Sequence, residues 1–203
     1  MRSDGKTGNT LFMLENLKKY DIILASQSPR RFELLSQLCI PFKVEVKKDI
    51  DESYPPELPL MEIAPYLSQL KARAYNKESN SLIITADTVV ICSDKLLGKP
   101  KDETDAKNML RFLSGKTHKV VTGVTVASRE KVETISVLTT VKFGRLSKEE
   151  IDFYVDKFKP LDKAGAYGIQ EWIGGVAVEK INGSFYNVMG LPIHQLYRLL
   201  KKF

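Results

Sequence analysis

The chain has 203 residues, a formal net charge of +6, and 43% hydrophobic and 28% charged residues. This length and composition are typical of one soluble globular domain with a sizeable core. No apolar run reaches the roughly 20 residues of a membrane-spanning helix, and no secretory signal pattern is present near the start. The lysines are scattered and are not interleaved with aromatic residues, which argues against a nucleic-acid surface. We therefore expect neither a membrane nor a nucleic acid as a partner.

The two cysteines, Cys39 and Cys92, both lie in apolar stretches of the sequence. Such surroundings favour buried free thiols over a disulfide bond, and free thiols are typical of a reducing compartment. The sequence therefore predicts a cytoplasmic protein.

The first elements of the domain are a strand and a helix that follows it directly. Residues 1–20 are expected to be a partly disordered leader, and residues 21–203 a single domain. The apolar residues 21–25 predict a strand. Ser28 and Pro29 then suit the N-cap and the first position of a helix.

The junction between this strand and helix has the chemistry of an anion site. The hydroxyls of Ser26 and Ser28 and the guanidinium groups of Arg30 and Arg31 lie beside a helix N-terminus, whose free N–H groups attract anions. A capped helix with solvated arginines is the commoner meaning of such a segment. The residues at this junction leave both interpretations open.

The apolar run at residues 81–91 is the most informative stretch, because it predicts a buried strand with a carboxylate in its middle. An ionised carboxylate such as that of Asp87 is costly to bury unless it is paired, hydrogen-bonded or bound to a metal. Asp87 is therefore either a structural residue that binds backbone amides or a chemical group with Thr88 beside it. Lys99 follows between a glycine and a proline, where the backbone is constrained. A carboxylate with a fixed cation nearby is what a reaction on a phosphate ester needs.

Two irregular segments are rich in polar residues. The acidic cluster at residues 49–53 is typical of a solvated loop, and it also has the chemistry of a hard-metal site. Residues 160–170 combine glycines with spaced polar side chains, which is typical of a loop that fits closely around a ligand.

The rest of the pattern alternates helices and strands around long antiparallel strands, which predicts an α/β protein with a mixed sheet. A capping box of Ser147 and Glu150 opens one of the helices. The remaining predicted elements are strands at 42–46 and 176–181, a hairpin of 117–127 and 133–143, and helices at 60–75, 102–113, 147–154 and 192–203.

The candidate functional groups of this sequence are carboxylates and cations, with no metal-binding histidine or cysteine set and no serine nucleophile pattern. His118 and His194 have no partner at metal-ligand spacing, and no dinucleotide, P-loop or serine-nucleophile pattern is present. Carboxylates and cations suit a reaction on a polyphosphate assisted by Mg²⁺ or Mn²⁺. The candidates are Asp51, Glu52, Asp87, Asp162, Arg30, Arg31, Lys71, Lys99 and Lys163.

Six motifs in order resemble the successive signatures of the Maf family, whose members are nucleoside triphosphate pyrophosphatases. They are LASQSPRR at 24–31, ADTVV at 86–90, GKP at 98–100, LSGKTH at 113–118, DKAGAYGIQ at 162–170 and GLP at 190–192. The resemblance implies a long twisted mixed β-sheet with flanking helices that form two lobes around a cleft, the Maf/ITPase-like fold. It also implies a homodimer and a divalent cation, Mg²⁺ or Mn²⁺.

The resemblance assigns roles to matching residues. Asp87 would be the proton acceptor and, with Glu52, a metal ligand. Arg30, Thr88 and Gln170 match the residues that set base preference in the branch acting on dTTP and UTP. The residues expected to bind the phosphates are Ser26, Ser28, Arg31, Lys71, Lys99 and Lys163.

One residue departs from the family pattern, because Glu171 stands where the family usually has glycine. Its charge puts the base preference in question, while we expect the hydrolytic residues to be untouched. The resemblance thus implies hydrolysis of dTTP, UTP or modified pyrimidine triphosphates to the monophosphate and pyrophosphate. The alternatives are a non-catalytic nucleotide-binding regulator of septum formation and, on charge alone, a nucleic-acid-binding protein.

Overall fold

The structure is a computed structural model that describes residues 13–75 and 80–203. Its centre is a mixed sheet, as predicted. The strands are β1 (Asp21–Leu24), β2 (Lys43–Val44), β3 (Ser81–Cys92), β4 (Lys95–Leu97), β5 (Thr117–Ala127), β6 (Val132–Phe143) and β7 (Val178–Asn182). They are arranged in the order β2-β1-β3-β5-β6-β7, with β4 paired to β3.

Helices flank this sheet, and short 3-10 turns precede or connect them. The 3-10 turns are Glu15–Leu17, Leu60–Glu62 and Ala164–Ala166. The helices are α1 (Pro29–Ser36), α2 (Ile63–Arg73), α3 (Glu103–Leu113), α4 (Lys148–Phe158), α5 (Trp172–Ala177), α6 (Phe185–Met189) and α7 (Ile193–Leu200). Ser28 caps α1 and the Ser147–Glu150 capping box opens α4, as predicted.

Strand β3 is the strand at which the sheet changes from parallel to antiparallel. It pairs in parallel with β1 over residues 81–84, and antiparallel with β5 over residues 83–91. On the edge that it shares with β1, it next pairs with β4 over residues 90–92. Within the described part of the chain, residues 85–89 therefore have no strand partner along that edge.

Two hydrophobic cores lie on the same face of β3, one at each end. The first packs Leu82 and Ile84 against α1 and α7. The second packs Val90 and Cys92 against α3 and α4. Because side chains alternate along a strand, Thr88 points to this same face in the interval between the two cores. The two lobes and the cleft between them, which the sequence predicted, follow from this arrangement.

Helix α2 covers the opposite face of the sheet and approaches it closely at Gly123. A Cβ atom at Gly123 would lie 2.3 Å from the backbone nitrogen of Pro65. Buried hydroxyl groups secure the contact, since Ser68 Oγ is 2.8 Å from Thr125 Oγ1 and Thr85 Oγ1 donates to the Ser68 carbonyl at 2.7 Å. Helix α2 is therefore fixed in height and rotation above β3 and β5.

The segment before β1 contributes to the first core. Leu14 and Leu17 are each 1% exposed, and Asn16 Nδ2 donates to the Leu200 carbonyl at 2.8 Å. The core thus includes residues before the expected domain start at residue 21. The first part of the expected leader, residues 1–12, lies outside the described residues.

Both cysteines are free, but the prediction that both are buried is wrong for Cys39. Cys92 is buried, whereas Cys39 is exposed in the turn after α1, where its φ is 53°. Its neighbours Leu38 and Ile40 contact the core instead. Over residues 13–75 and 80–203, no helix has the length and apolar character needed to cross a membrane.

Several predicted boundaries differ from the structure. Strand β2 has only two residues, and residues 172–177, part of which was predicted as a strand, form α5. The two short helices α5 and α6 were not predicted. Gly174 and Gly175 lie inside α5, where glycine is unfavourable, so local propensity gave no signal of a helix.

Candidate active site

The cleft holds two adjoining cavities at the unpaired edge of β3. The first has a volume of about 410 Å³ and lies between the two lobes, and the second has a volume of about 570 Å³ and lies beside the β1–α1 junction. Together they are lined by all of the site residues predicted from the sequence: Ser26, Ser28, Arg30, Arg31, Glu52, Lys71, Asp87, Thr88, Lys99, Lys163 and Gln170. Asp51, another candidate carboxylate, does not line either cavity.

Asp87 and Thr88 reach the same cavity from opposite faces of the sheet. Consecutive side chains on a strand point to opposite sides. Asp87 lies on the side of α2 and Thr88 on the side of the two cores, yet both line the first cavity. This is possible because the edge of β3 carries no strand partner at residues 85–89 among the described residues.

Asp87 is paired with Lys71, a residue of α2. Lys71 Nζ is 2.5 Å from Asp87 Oδ1 and 3.0 Å from Glu52 Oε2. The side chains of Lys71 and Asp87 are 15% and 14% exposed, whereas that of Glu52 is 53% exposed. The ammonium group of Lys71 thus compensates the charge of Asp87 and offsets the free-energy cost of burying this carboxylate in the strand.

Arg31 closes part of the open strand edge. Its guanidinium group donates to the carbonyls of Ala86 at 2.8 Å and Gly190 at 2.9 Å, and to Thr88 Oγ1 at 3.1 Å. Burial lowers the pKa of Arg31, and the nearby Asp87 acts in the opposite direction. Arg31 therefore ties α1 to β3 and orients the hydroxyl of Thr88.

Lys99 stands out among the cations of the cleft. It lines both cavities and is exposed. In the described part of the chain, no ion pair or hydrogen bond engages its ammonium group. Lys99 is therefore free to bind an anion that enters the cleft.

A buried polar network behind Thr88 was missed by the sequence analysis. Thr88 Oγ1 is 3.0 Å from Thr122 Oγ1, which donates to the Asn187 carbonyl at 3.0 Å. The amide of Asn187 donates in turn to Val120 O at 3.1 Å and Thr139 Oγ1 at 3.0 Å. Only the register of β3 against β5, which places Thr122 opposite Thr88, could have indicated it.

An ion pair joins the two lobes across the cleft. Arg30 of α1 donates to Asp162 Oδ2 at 2.7 Å, and Asp162 Oδ1 is 2.7 Å from Lys163 Nζ. Partial burial raises the pKa of Asp162, but the hydrogen bonds from Lys163 and Arg30 outweigh it and lower that pKa to about 2. Asp162 is therefore an anion that competes with any ligand for these two cations.

Glu171 also contacts Lys163, since its Oε1 atom lies 3.1 Å from Lys163 Nζ. The Gly-rich loop thus folds this carboxylate back toward the cleft, where it contacts an expected phosphate-binding residue. That Glu171 leaves the hydrolytic residues untouched stays a prediction. Gln170 lines the first cavity and is exposed.

His118 lies behind the cavity wall and has no direct part in it. Its Nε2 atom is 2.7 Å from the hydroxyl of Tyr167, which lines the first cavity. Burial lowers the pKa of His118 to about 4. The imidazole is therefore neutral near pH 7 and supports Tyr167.

The carboxylates can provide part of a metal site, but they do not form a complete one. Across the described residues, no group of three or more His, Cys, Asp or Glu side chains is placed to hold a metal ion. Mg²⁺ is commonly bound through one or two protein carboxylates together with substrate phosphates. Asp87 and Glu52, which both contact Lys71, fit such a shared site.

The fold and the site define a protein that binds a polyanionic small molecule, because a cleft with fixed cations and an apolar wall concentrates such ligands. A family model described as "Maf-like protein" matches residues 21–203. The chain belongs to the Maf family.

Curated relatives match almost the whole chain. A dTTP/UTP pyrophosphatase of Porphyromonas gingivalis strain W83 is 53% identical over 195 residues, which cover 94% of this chain and 98% of that protein. A dTTP/UTP pyrophosphatase of Parabacteroides distasonis is 54% identical over 193 residues, covering 94% and 100%. A solved HAM1 protein from Coxiella burnetii aligns with a TM-score of 0.47 and 15% identity over 91% of this chain and 100% of that one.

Proposed function

We propose that this protein hydrolyses dTTP and UTP to the nucleoside monophosphate and pyrophosphate. The observation that carries the proposal is the Asp87–Lys71–Glu52 cluster at the open edge of β3, in the same cavity as Lys99. The relatives named dTTP/UTP pyrophosphatase, at about half identity over nearly the full chain, support the same activity.

Asp87 is the residue we assign to the reacting water. Its carboxylate lines the first cavity and accepts a hydrogen bond from Lys71 at 2.5 Å, so its position is fixed. It orients a water molecule and accepts its proton as the water oxygen bonds to the α-phosphorus. The bond from the α-phosphorus to the bridging oxygen breaks, and pyrophosphate leaves with the bonding electrons.

The cations take up the charge of the triphosphate. Lys99 and Ser28 line both cavities, and the second cavity adds Ser26 just before the start of α1. Backbone N–H groups at a helix N-terminus and nearby cations stabilise the charge that develops on leaving phosphates. We assign this cavity to the pyrophosphate end of the substrate.

A divalent cation, Mg²⁺ or Mn²⁺, is part of the proposal, with Asp87 and Glu52 as its protein ligands. When bound, it would supply Lewis-acid stabilisation of the charge that develops on the phosphates.

We assign the nucleobase of the substrate to the first cavity. This cavity is lined by Arg30, Thr88 and Gln170 and by the apolar side chains of Val120 and Met189. Arg31 and Thr122 hold the hydroxyl of Thr88 in place. A fixed hydroxyl and an exposed amide offer both donors and acceptors, which suits the edge of a pyrimidine ring.

We further propose that the protein works in the cytoplasm as a homodimer, as the family resemblance implies. The two free cysteines support a reducing compartment. Sedimentation of the purified protein tests the dimer.

The activity is tested by incubating the protein with each ribo- and deoxyribonucleoside triphosphate and Mg²⁺ or Mn²⁺, with separate detection of pyrophosphate and orthophosphate. We expect pyrophosphate and the monophosphate from dTTP and UTP. Pyrophosphate from purine substrates alone would contradict the assigned specificity residues. Binding without turnover of any substrate would contradict the enzyme and favour a regulatory protein.

A further inference from the structure

Glu171 stands directly before α5, at the N-cap position, yet its side chain does not cap that helix. It turns back toward the cleft instead. Its Oε1 atom is 3.1 Å from Lys163 Nζ, and its Oε2 atom accepts a hydrogen bond from the hydroxyl of Tyr154 on α4. The carboxylate therefore links a cation of the cleft to a helix in the second lobe.

The carboxylate of Glu171 lies against the Gly-rich loop at Gly168. A Cβ atom at Gly168 would lie 2.8 Å from the carboxyl carbon of Glu171. The hydroxyl of Tyr154 accepts from the backbone N–H of Gly168 at 3.0 Å, and Glu171 N donates to the Gly168 carbonyl at 3.0 Å. Glu171, Tyr154 and Gly168 are thus joined in a ring of three hydrogen bonds beside Gln170.

The two carboxylates that hold Lys163 differ in exposure. Asp162 is 54% exposed and is shared with Arg30 across the cleft, whereas Glu171 is only 19% exposed. An entering polyanion competes with Asp162 for both cations. Glu171 keeps its contact with Lys163, since Tyr154 anchors it from behind the cavity wall.

From this difference we infer that Glu171 is a positioning residue, which holds Lys163 at the wall of the first cavity while nucleotide replaces Asp162. The inference rests on the proposed function and on the phosphate-binding role of Lys163, which the family resemblance implies. It assigns to Glu171 no direct contact with the substrate. It makes the ammonium group pre-organised for binding, which lowers KM and leaves the chemical step unchanged.

A double-mutant cycle tests this inference with KM and kcat for dTTP as readouts. Glu171→Gln keeps the size of the side chain and an acceptor for Tyr154, but it removes the negative charge that faces Lys163. We expect KM to rise about tenfold and kcat to stay within about twofold, the effect of losing one partly buried charge-assisted contact. The control Glu179→Gln removes an exposed carboxylate that pairs with Lys142, and should leave KM unchanged.

The cycle separates positioning from general structural support. If Glu171 acts through Lys163, Glu171→Gln should change KM less than about twofold when it is added to Lys163→Met. An equal rise in both backgrounds would overturn the inference, and so would an unchanged KM in the single variant. A merely structural role would instead lower the unfolding temperature and would show no dependence on Lys163.

A second variant tests the same inference if Glu171→Gln does not fold, as judged by the absence of a cooperative thermal transition. Tyr154→Phe keeps the charge of Glu171 and removes its anchor, so KM should rise about two- to threefold, again only while Lys163 is present. An unchanged KM in Tyr154→Phe would overturn the inference. If the wild-type protein turns over no pyrimidine triphosphate, the proposed function fails. Equilibrium binding of the α,β-methylene analogue of dTTP to the same variants then decides the inference by itself.

Discussion

Asp87 shows how a single charged residue is accommodated inside a strand. It has Lys71 at 2.5 Å, and it borders a cavity at the one stretch of β3 where residues 85–89 lack a neighbour on one edge among the described residues. The same edge that exposes Asp87 to substrate therefore also gives it access to water. Charge compensation and solvent access are both needed for a carboxylate that acts on a water molecule.

We expect Asp87→Asn to retain less than about a tenth of wild-type turnover of dTTP, because the amide keeps the shape and cannot accept the proton. Steady-state assays of pyrophosphate release measure this. Binding of dTTP should survive, since Lys71 and Lys99 remain. Turnover above about a tenth would contradict the role given to Asp87.

At the residue scale, the sequence could indicate candidate site residues from their type and local surroundings. It could not show which residues contact one another across long stretches of chain. Asp87, Thr88 and Lys99 could be predicted because an unusual side chain in a buried strand and a constrained lysine are visible locally. Thr122, Asn187 and Tyr154 could not, since their importance comes from partners far along the chain.

At the scale of the elements, α2 sets the position of Lys71 relative to Asp87. The helix lies at contact distance over β5 because Gly123, the residue in register with Asp87, has no side chain. The hydroxyls of Ser68 and Thr125 fix its rotation. The geometry of the ion pair is thus determined by packing on the neighbouring strand.

We expect Gly123→Ala to destabilise the protein by roughly 2 kcal/mol or more, because the new Cβ would overlap the backbone of α2 at Ala64 and Pro65. Activity should fall as well, since lifting α2 moves Lys71 away from Asp87. Chemical denaturation measures the first effect and pyrophosphate release the second.

The matched control is Gly175→Ala in α5, where nothing lies within 4 Å of the added Cβ. It should be neutral or slightly stabilising, because alanine is favoured over glycine in helices. Equal losses of stability in the two variants would show that the close approach of α2 is unimportant.

Long elements could be predicted from the sequence, and the short helices α5 and α6 could not. Strands β3, β5 and β6 have enough residues for alternation and β-branched composition to indicate them. Helices α5 and α6 have six and five residues, so tertiary contacts determine them.

At the scale of the whole molecule, two cores on one face of a shared sheet create the cleft. The distribution of hydrophobic side chains along β3 predicted a buried strand, but it could not show that the buried face is divided between two cores. That division depends on which helices return to which end of the strand. The sequence therefore predicted the fold class, while the division of the buried face between two cores required the structure.

Stability should depend on pH through His118, which is 1% exposed. Its pKa is lowered by burial from 6.5 to about 4, so the unfolded chain binds a proton before the folded protein does. The contribution of His118 to the free energy of unfolding is fully present above pH 6.5 and is lost as pH falls toward 4. The total loss is on the order of 3 kcal/mol.

Denaturation curves between pH 4 and 7 measure this dependence. His118→Gln should flatten the slope of unfolding free energy against pH, whereas the exposed His194→Gln should keep the wild-type slope. A wild-type slope in His118→Gln would contradict the assignment.

The alternation of peptide groups along β3 has a consequence for hydrogen exchange. The carbonyls of Ile84 and Ala86 face the edge that β3 shares with β1, where they accept from Ala25 N and Arg31. The peptide group of Asp87 therefore faces β5, in register with Gly123. Its amide proton is protected by a ladder that runs through both lobes, so it exchanges only when that ladder breaks. We therefore expect this amide to exchange more slowly than the amides of the loops that line the cleft.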